Sequence, residues 1–94
     1  MDRLQQLIFS FYREDPLMEE LLEPLRDCRM SRGWGSIRIE CVSAAHLEQI
    51  SGLLVHLRLP LAALGLGRQI VLRVPGSLQR SYPMNVPFHS DQLA

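Results

Sequence analysis

The chain has 94 residues, of which 47% are hydrophobic, and it carries ten acidic and ten basic side chains. This length corresponds to one small domain, and the apolar fraction is too high for a disordered chain. No apolar run reaches the roughly 18 residues needed to cross a bilayer, and residues 1–6 show no signal-peptide core. We therefore expect a cytoplasmic protein that does not enter a membrane.

Charge is distributed unevenly along the chain. Residues 1–27 carry seven acidic side chains against three arginines, whereas residues 28–94 carry seven arginines against three acids, and there is no lysine. Genome composition alone can produce an exclusive use of arginine. Segregated charge also suits electrostatic docking to another protein, which improves association rate and specificity more than affinity.

Two helices are predicted before residue 28. The helical spacing of Leu4, Leu7, Ile8, Phe11 and Tyr12 predicts that these side chains form the inner face of the first helix, with Phe9 outside it. Asp15 and Pro16 suit the N-cap and the first position of a second helix. Pro24 should break that helix after about two turns.

A strand, a helix and a second strand are predicted over residues 36–74. Residues 36–42 and 68–74 alternate apolar and polar side chains, which is typical of half-buried strands. The apolar helix between them begins at the N-cap Ser43 and should be kinked at Pro60. The connection is long enough for the two strands to be parallel.

A short strand at residues 28–30 and a glycine-containing turn at residues 31–35 would complete a hairpin with the strand that follows. The predicted fold is therefore α+β, with two layers in which a three-stranded sheet packs against about three helices. We place this single domain at residues 1–74.

Residues 75–94 contain three prolines and are predicted to form a flexible tail. Within the tail, Tyr82, Met84, Val86 and Phe88 alternate along an extended run. An extended peptide of this kind can place alternate side chains in the pockets of a partner protein. Alternatively, the run folds back over the sheet of its own domain and covers an apolar patch there.

Arginines surround the single tryptophan in the predicted hairpin. Arg29, Arg32 and Arg38 could contact phosphates or acidic groups of a partner, and an exposed Trp34 could stack on a nucleobase. The zero net charge argues against a dedicated nucleic-acid-binding protein. The alternative interpretation is a solvated strand face with Trp34 packed against the core.

No catalytic or metal-binding motif is apparent. Cys28 and Cys41 cannot complete a four-ligand zinc site by themselves, and their spacing matches no metal motif, so we expect two small buried hydrophobic residues. His46 and His56 are ten residues apart on the predicted helix, which separates them by roughly 80° around the helix axis. We predict no enzymatic activity, no cofactor and no metal.

The order of elements resembles two families. The pattern is similar to the N-terminal interaction domain of the bacterial replication initiator DnaA and to the KH-like domain of DciA-type helicase loaders. The segments that carry this resemblance are Leu22-Glu23-Pro24-Leu25, residues 36–41, the helix from Ser43 and the strand at residues 70–74. The resemblance covers about residues 16–74, and Pro60 departs from it. It implies a non-enzymatic adaptor of a larger machine, with weak affinity for nucleic acid.

The functional prediction from sequence is accordingly a small adaptor or regulatory protein that binds a larger protein partner. A single-stranded nucleic-acid-binding module that uses Trp34 and its neighbouring arginines is the alternative. A homodimer formed through exposed sheet edges is compatible with both functions.

Overall fold

The computed structural model describes residues 2–85. Its helices are α1 (Arg3–Phe11), α2 (Pro16–Leu21), α3 (Ala44–Ser51) and α4 (Leu54–Ala63), with a 3₁₀-helical segment at Glu23–Asp27. Its strands are β1 (Arg29–Gly33), β2 (Ser36–Glu40), β3 (Gln69–Val74) and β4 (Leu78–Pro83). The strands form one sheet in the order β1-β2-β3-β4, in which β2 and β3 are parallel and the other two pairs are antiparallel.

The helices cover one face of this sheet. The alternating residues Ile37, Ile39, Ile70 and Leu72 point to the helices and have no solvent exposure. Side chains that alternate with them, including Arg38 and Ser81, face away from the helices and are exposed. The prediction of an α+β fold is therefore confirmed, with four helices and a four-stranded mixed sheet in place of about three helices and three strands.

The buried face of α1 differs from the predicted one. Leu7 and Phe11 are exposed, whereas Gln5 and Phe9 are buried. Gln5 determines this rotation because its side-chain amide donates hydrogen bonds to the carbonyls of Leu25 (2.8 Å) and Cys28 (2.6 Å). A buried glutamine that is satisfied by backbone carbonyls cannot be recognised from hydrophobic periodicity alone.

The predicted long helix is two helices, because the chain breaks at Gly52 and Leu53. Pro60 lies inside α4 and lacks the N–H that would donate to the carbonyl of residue 56. The Tyr12 hydroxyl donates to this His56 carbonyl at 2.7 Å and so replaces the missing hydrogen bond. The longest described helix, α4, has ten residues, and no helix within residues 2–85 is long and apolar enough to cross a membrane.

The fourth strand lies in the segment that was predicted to be a flexible tail. Residues 75–77 form a tight turn in which Gly76 has φ +76° and the Ser77 N–H donates to the Val74 carbonyl. The chain then returns antiparallel to β3. Pro75 and Gly76 favour the end of regular structure when the sequence is considered alone, but here they form the turn that connects β3 to β4. Proline is tolerated at the end of β4 because β4 is an edge strand.

Two contacts attach β4 to the helices. The Arg80 guanidinium pairs with the Glu48 carboxylate of α3 at 2.7 Å, and Arg58 of α4 donates to the Pro83 carbonyl at 2.9 Å. Both contacts cross from the helical layer to the edge strand. The sheet and the helices therefore form one unit that extends at least to Met84, whose side chain is only 2% exposed.

Candidate functional site

Trp34 occupies the tip of the β1–β2 hairpin and is fully exposed. Gly33 pairs with Ser36, so only Trp34 and Gly35 form the loop. Gly35 has φ +66°, which glycine adopts without steric cost. Its carbonyl accepts hydrogen bonds from the N–H groups of Arg68 (2.7 Å) and Gln69 (3.2 Å), which fixes the loop to the start of β3. The alternative in which Trp34 packs against the core is therefore wrong.

Two arginines flank this loop. A Cβ atom placed on Gly33 would lie 3.3 Å from the Arg38 guanidinium carbon, so this guanidinium covers one side of the turn. A Cβ atom placed on Gly35 would lie 3.9 Å from Nε of Arg68, which covers the other side. Neither arginine forms an ion pair within residues 2–85. The indole is thus exposed between two cationic side chains that are available to a ligand.

Open grooves lie on either side of Trp34. One has a volume of about 510 Å³, and its lining includes Arg68, Gln69, Ser81 and Tyr82. The other has a volume of about 450 Å³, and its lining includes Arg32 and Arg38. Each groove is therefore bounded by the indole, by an arginine and by backbone of the glycine-flanked turn. This arrangement is suited to an extended or flat ligand that carries negative charge.

The outer face of the sheet extends from this loop and is polar. The strand register places Arg29, Arg38 and Arg73 on the face away from the helices. Glu40 lies on the same face, in register with Arg29 and Arg73. The excess acid of residues 1–27 lies on the helical layer instead. The outer face therefore carries more arginine than acid, while the acidic excess of residues 1–27 lies on the opposite side of the sheet.

The structure brings together only part of the predicted arginine patch. Arg38 lies beside Trp34, and Arg29 shares its sheet face but lies at the opposite end of β1, next to Glu40. Arg32 is in register with the buried Ile37, on the helix side of the sheet, and it lines both a groove beside α1 and the groove that Trp34 shares with Arg38. Strand alternation places Arg32 and Arg38 on opposite faces of the sheet, although both border Trp34 at the hairpin tip.

Arg68 belongs to this site but lies outside the predicted arginine patch, although the sequence contains a signal for it. Parallel pairing of β2 and β3 places the residues that precede these two strands side by side. The connection between the two strands is long enough for parallel pairing. Parallel pairing in this register places Arg68 beside Gly35.

The residues proposed for partner binding in the tail have different surroundings. Tyr82 pairs with Ile70 in β4, is half-buried and lines the groove beside Trp34. Met84 is buried, and its N–H donates to the Arg68 carbonyl at 2.8 Å. The predicted contacts of Val86 and Phe88 lie outside the described residues.

A second cluster of chemically capable side chains is buried at the other end of the sheet. Cys28 precedes β1, Cys41 follows β2 and His46 lies in the first turn of α3, and all three are buried. Their Sγ and ring-nitrogen atoms lie within 4.8 Å of one another. The expectation that both cysteines are buried is confirmed, and both are free thiols. Their spacing in sequence does not indicate that they meet.

The polar atoms of this cluster are hydrogen-bonded. Nδ1 of His46 accepts from the Val42 N–H at 3.0 Å, so the ring proton is on Nε2, which donates to the Pro24 carbonyl at 2.8 Å. The hydrogen bond to Cys41, together with burial, raises the pKa of the Cys28 thiol. The same hydrogen bond lowers the pKa of Cys41.

Comparison of this chain with protein-family models, with curated proteins and with solved structures found no significant match.

Proposed function

We propose that the protein binds single-stranded nucleic acid at the end of the sheet that carries Trp34. The observation that carries this proposal is the fully exposed indole at the hairpin tip, which lines one groove with Arg68 and another with Arg38. Aromatic side chains that stack on bases, combined with cations that contact phosphates, are the recurrent elements of sequence-tolerant single-strand binding.

A single strand fits this surface better than a duplex. The bases of a single strand can turn toward the indole, whereas paired bases are stacked on one another. The basic outer face of the sheet provides a path for phosphates away from Trp34, through Arg38 and Arg73. The acidic helical layer lies on the opposite face and does not oppose this path.

Fluorescence of the single tryptophan tests the proposal directly. Short single-stranded oligonucleotides, added at low salt, should quench Trp34 emission, and a duplex of the same length should bind more weakly. In an anisotropy assay with a labelled oligonucleotide, Trp34→Ala should weaken binding by about 5- to 150-fold, which corresponds to about 1–3 kcal/mol for one stacked base.

Phe11→Ala is the matched control, because Phe11 is also an exposed aromatic residue but lies on α1 in the helical layer. Its substitution should leave the affinity unchanged. Trp34→Phe should retain part of the affinity, since phenylalanine also stacks. Absence of quenching at low salt, or equal affinities of the wild-type protein and Trp34→Ala, would refute the proposal.

A second candidate function is that of a non-enzymatic adaptor, and a separate observation favours it. Large apolar side chains are exposed on the helical layer, as Leu7 and Phe11 of α1 and as Leu17 and Leu21 of α2. Each pair is spaced by four residues and so lies on one side of its helix. Exposed apolar positions beside acidic residues are suited to a protein partner with an apolar, basic surface.

The adaptor function predicts that Leu17→Asp and Phe11→Asp abolish capture of a specific protein partner, while Trp34→Ala does not. Capture should also resist nuclease treatment. Capture that is lost with Trp34→Ala and with nuclease would instead assign the interaction to nucleic acid. The resemblance to the DnaA and DciA-type domains, which implies an adaptor with weak nucleic-acid affinity, stays a prediction that accommodates both surfaces.

A further inference from the structure

We propose that Cys28, Cys41 and His46 form a structural zinc site, completed by the backbone carbonyl of Pro24. These residues come from the 3₁₀ segment and its junction with β1, from the end of β2 and from the start of α3. The three side-chain donor atoms already lie within 4.8 Å of one another in a buried position. Sulfur and imidazole donors are the set that structural zinc sites use.

The donor separations fit tetrahedral zinc. Zinc–sulfur and zinc–nitrogen bonds of about 2.3 and 2.1 Å, at a tetrahedral angle, require about 3.6 Å between sulfur and nitrogen. Sγ of Cys28 and Nε2 of His46 are 3.7 Å apart. The carbonyl oxygen of Pro24 lies 3.9 Å from the same sulfur and 2.8 Å from Nε2. Among these three atoms, only the nitrogen–oxygen separation must increase, by about 0.6 Å, and Sγ of Cys41, which lies within 4.8 Å of the other side-chain donors, moves to the fourth position of the tetrahedron.

The charge of the site selects the metal. Two thiolates, one neutral imidazole and one carbonyl together neutralise a divalent ion, so the complex introduces no net charge into the interior. A monovalent copper ion in the same donor set would leave one uncompensated negative charge. Hard cations such as magnesium and calcium favour oxygen ligands and are not matched by two sulfurs.

Metal binding requires a defined set of proton movements. Zinc replaces the protons of both thiols, so two zinc–sulfur bonds form and two protons leave. The ring proton of His46 leaves Nε2, which then binds zinc, and a proton is taken up at Nδ1. The hydrogen bonds from the Val42 N–H to Nδ1 and from Nε2 to the Pro24 carbonyl are both lost as a result, and the Val42 N–H must turn away from the new Nδ1–H. These losses are small compared with the binding free energy of structural zinc sites.

Cobalt titration of the reduced full chain tests the site, because cobalt(II) reports both sulfur ligation and tetrahedral geometry in its absorption spectrum. We expect one cobalt ion per chain, thiolate-to-cobalt charge-transfer bands, displacement of cobalt by zinc and release of about two protons per metal. Cys28→Ser and Cys41→Ser should each weaken binding more than about 100-fold, beyond the loss typical of residues that only support ligands.

The wild-type protein alone can refute this proposal, even if a cysteine variant fails to fold. In the wild type, zinc should slow alkylation of both Cys28 and Cys41. Absence of charge-transfer bands would overturn the proposal, as would unchanged binding in Cys28→Ser or oxidation of the pair to a disulfide without metal uptake. Trp34 is a matched control because it lies at the opposite end of the sheet, and Trp34→Ala should bind cobalt as the wild type does.

Discussion

The hydroxyl of Tyr12 replaces a hydrogen bond that Pro60 removes from α4, and substitution can measure what this replacement contributes. Tyr12 is buried, and its hydroxyl donates to the His56 carbonyl at 2.7 Å. Tyr12→Phe retains the ring packing but leaves that carbonyl without its donor. An unsatisfied buried carbonyl costs about 1–3 kcal/mol. For a domain of this size, each kcal/mol lowers Tm by roughly 4–8 °C.

The second arm of the experiment restores the missing donor. Pro60→Ala introduces a backbone N–H that can donate to the His56 carbonyl within the helix. In that background Tyr12→Phe should cost about 1 kcal/mol less than in the wild type, so the double-mutant cycle should show a coupling of about 1 kcal/mol. Urea unfolding followed by far-ultraviolet circular dichroism is the appropriate assay, since the fully exposed Trp34 reports poorly on the core.

The same contact has a pH dependence of predictable sign. Burial, with a contribution from the charge of Asp15, raises the pKa of Tyr12 in the folded protein. The unfolded chain therefore loses the phenolic proton first, near pH 10. The stability difference between the wild type and Tyr12→Phe should be complete below about pH 10 and should shrink as pH rises toward the folded-state pKa. Equal costs of Tyr12→Phe in both backgrounds, or a difference that grows with alkaline pH, would refute this account.

Three further predictions concern the surface and the core. Arg38→Gln should reduce the slope of log affinity against log salt for single strands by about 0.7, whereas the exposed Arg13→Gln should not change it. Gln5→Leu should destabilise the fold by about 2–5 kcal/mol in urea unfolding, because two backbone carbonyls lose their donor; a cost no larger than that of the exposed Gln49→Leu would contradict it. A chain that ends at Val74 should lose more than about 3 kcal/mol of stability, since it lacks β4 and a buried methionine; an unchanged Tm would contradict this.

Local signals were sufficient for most helix and strand assignments. Asp15 and Ser43 cap helices as their side chains predict, since each accepts a hydrogen bond from a backbone N–H in the first turn. Pro24 ends α2 and leads into the 3₁₀ segment. The alternation in β2 and β3 places their isoleucines in the core. Capping, proline geometry and the period of a strand act over a few residues, so the sequence displays them directly.

Features that depend on long-range pairing were not predictable in the same way. The rotation of α1 follows from hydrogen bonds that Gln5 donates to two carbonyls, which lie 20 and 23 positions further along the chain. The strand β4 forms by pairing with the edge of β3. Arg68 lies beside the Trp34 loop because β2 and β3 pair in parallel. Such contacts are decided by which elements pack together and not by the residues adjacent in sequence.

The sequence by itself therefore indicated the α+β class, the capped starts of α2 and α3 and the strands β2 and β3, and it named Trp34 with its neighbouring arginines as a candidate site while leaving open whether Trp34 is exposed. Tertiary structure decided which arginines border Trp34, because Arg29 lies at the opposite end of β1 while parallel pairing brings in Arg68. It also decided that Cys28, Cys41 and His46 meet. These three donors are joined only by the packing of β1, β2 and α3, and no spacing rule along the chain contains that information.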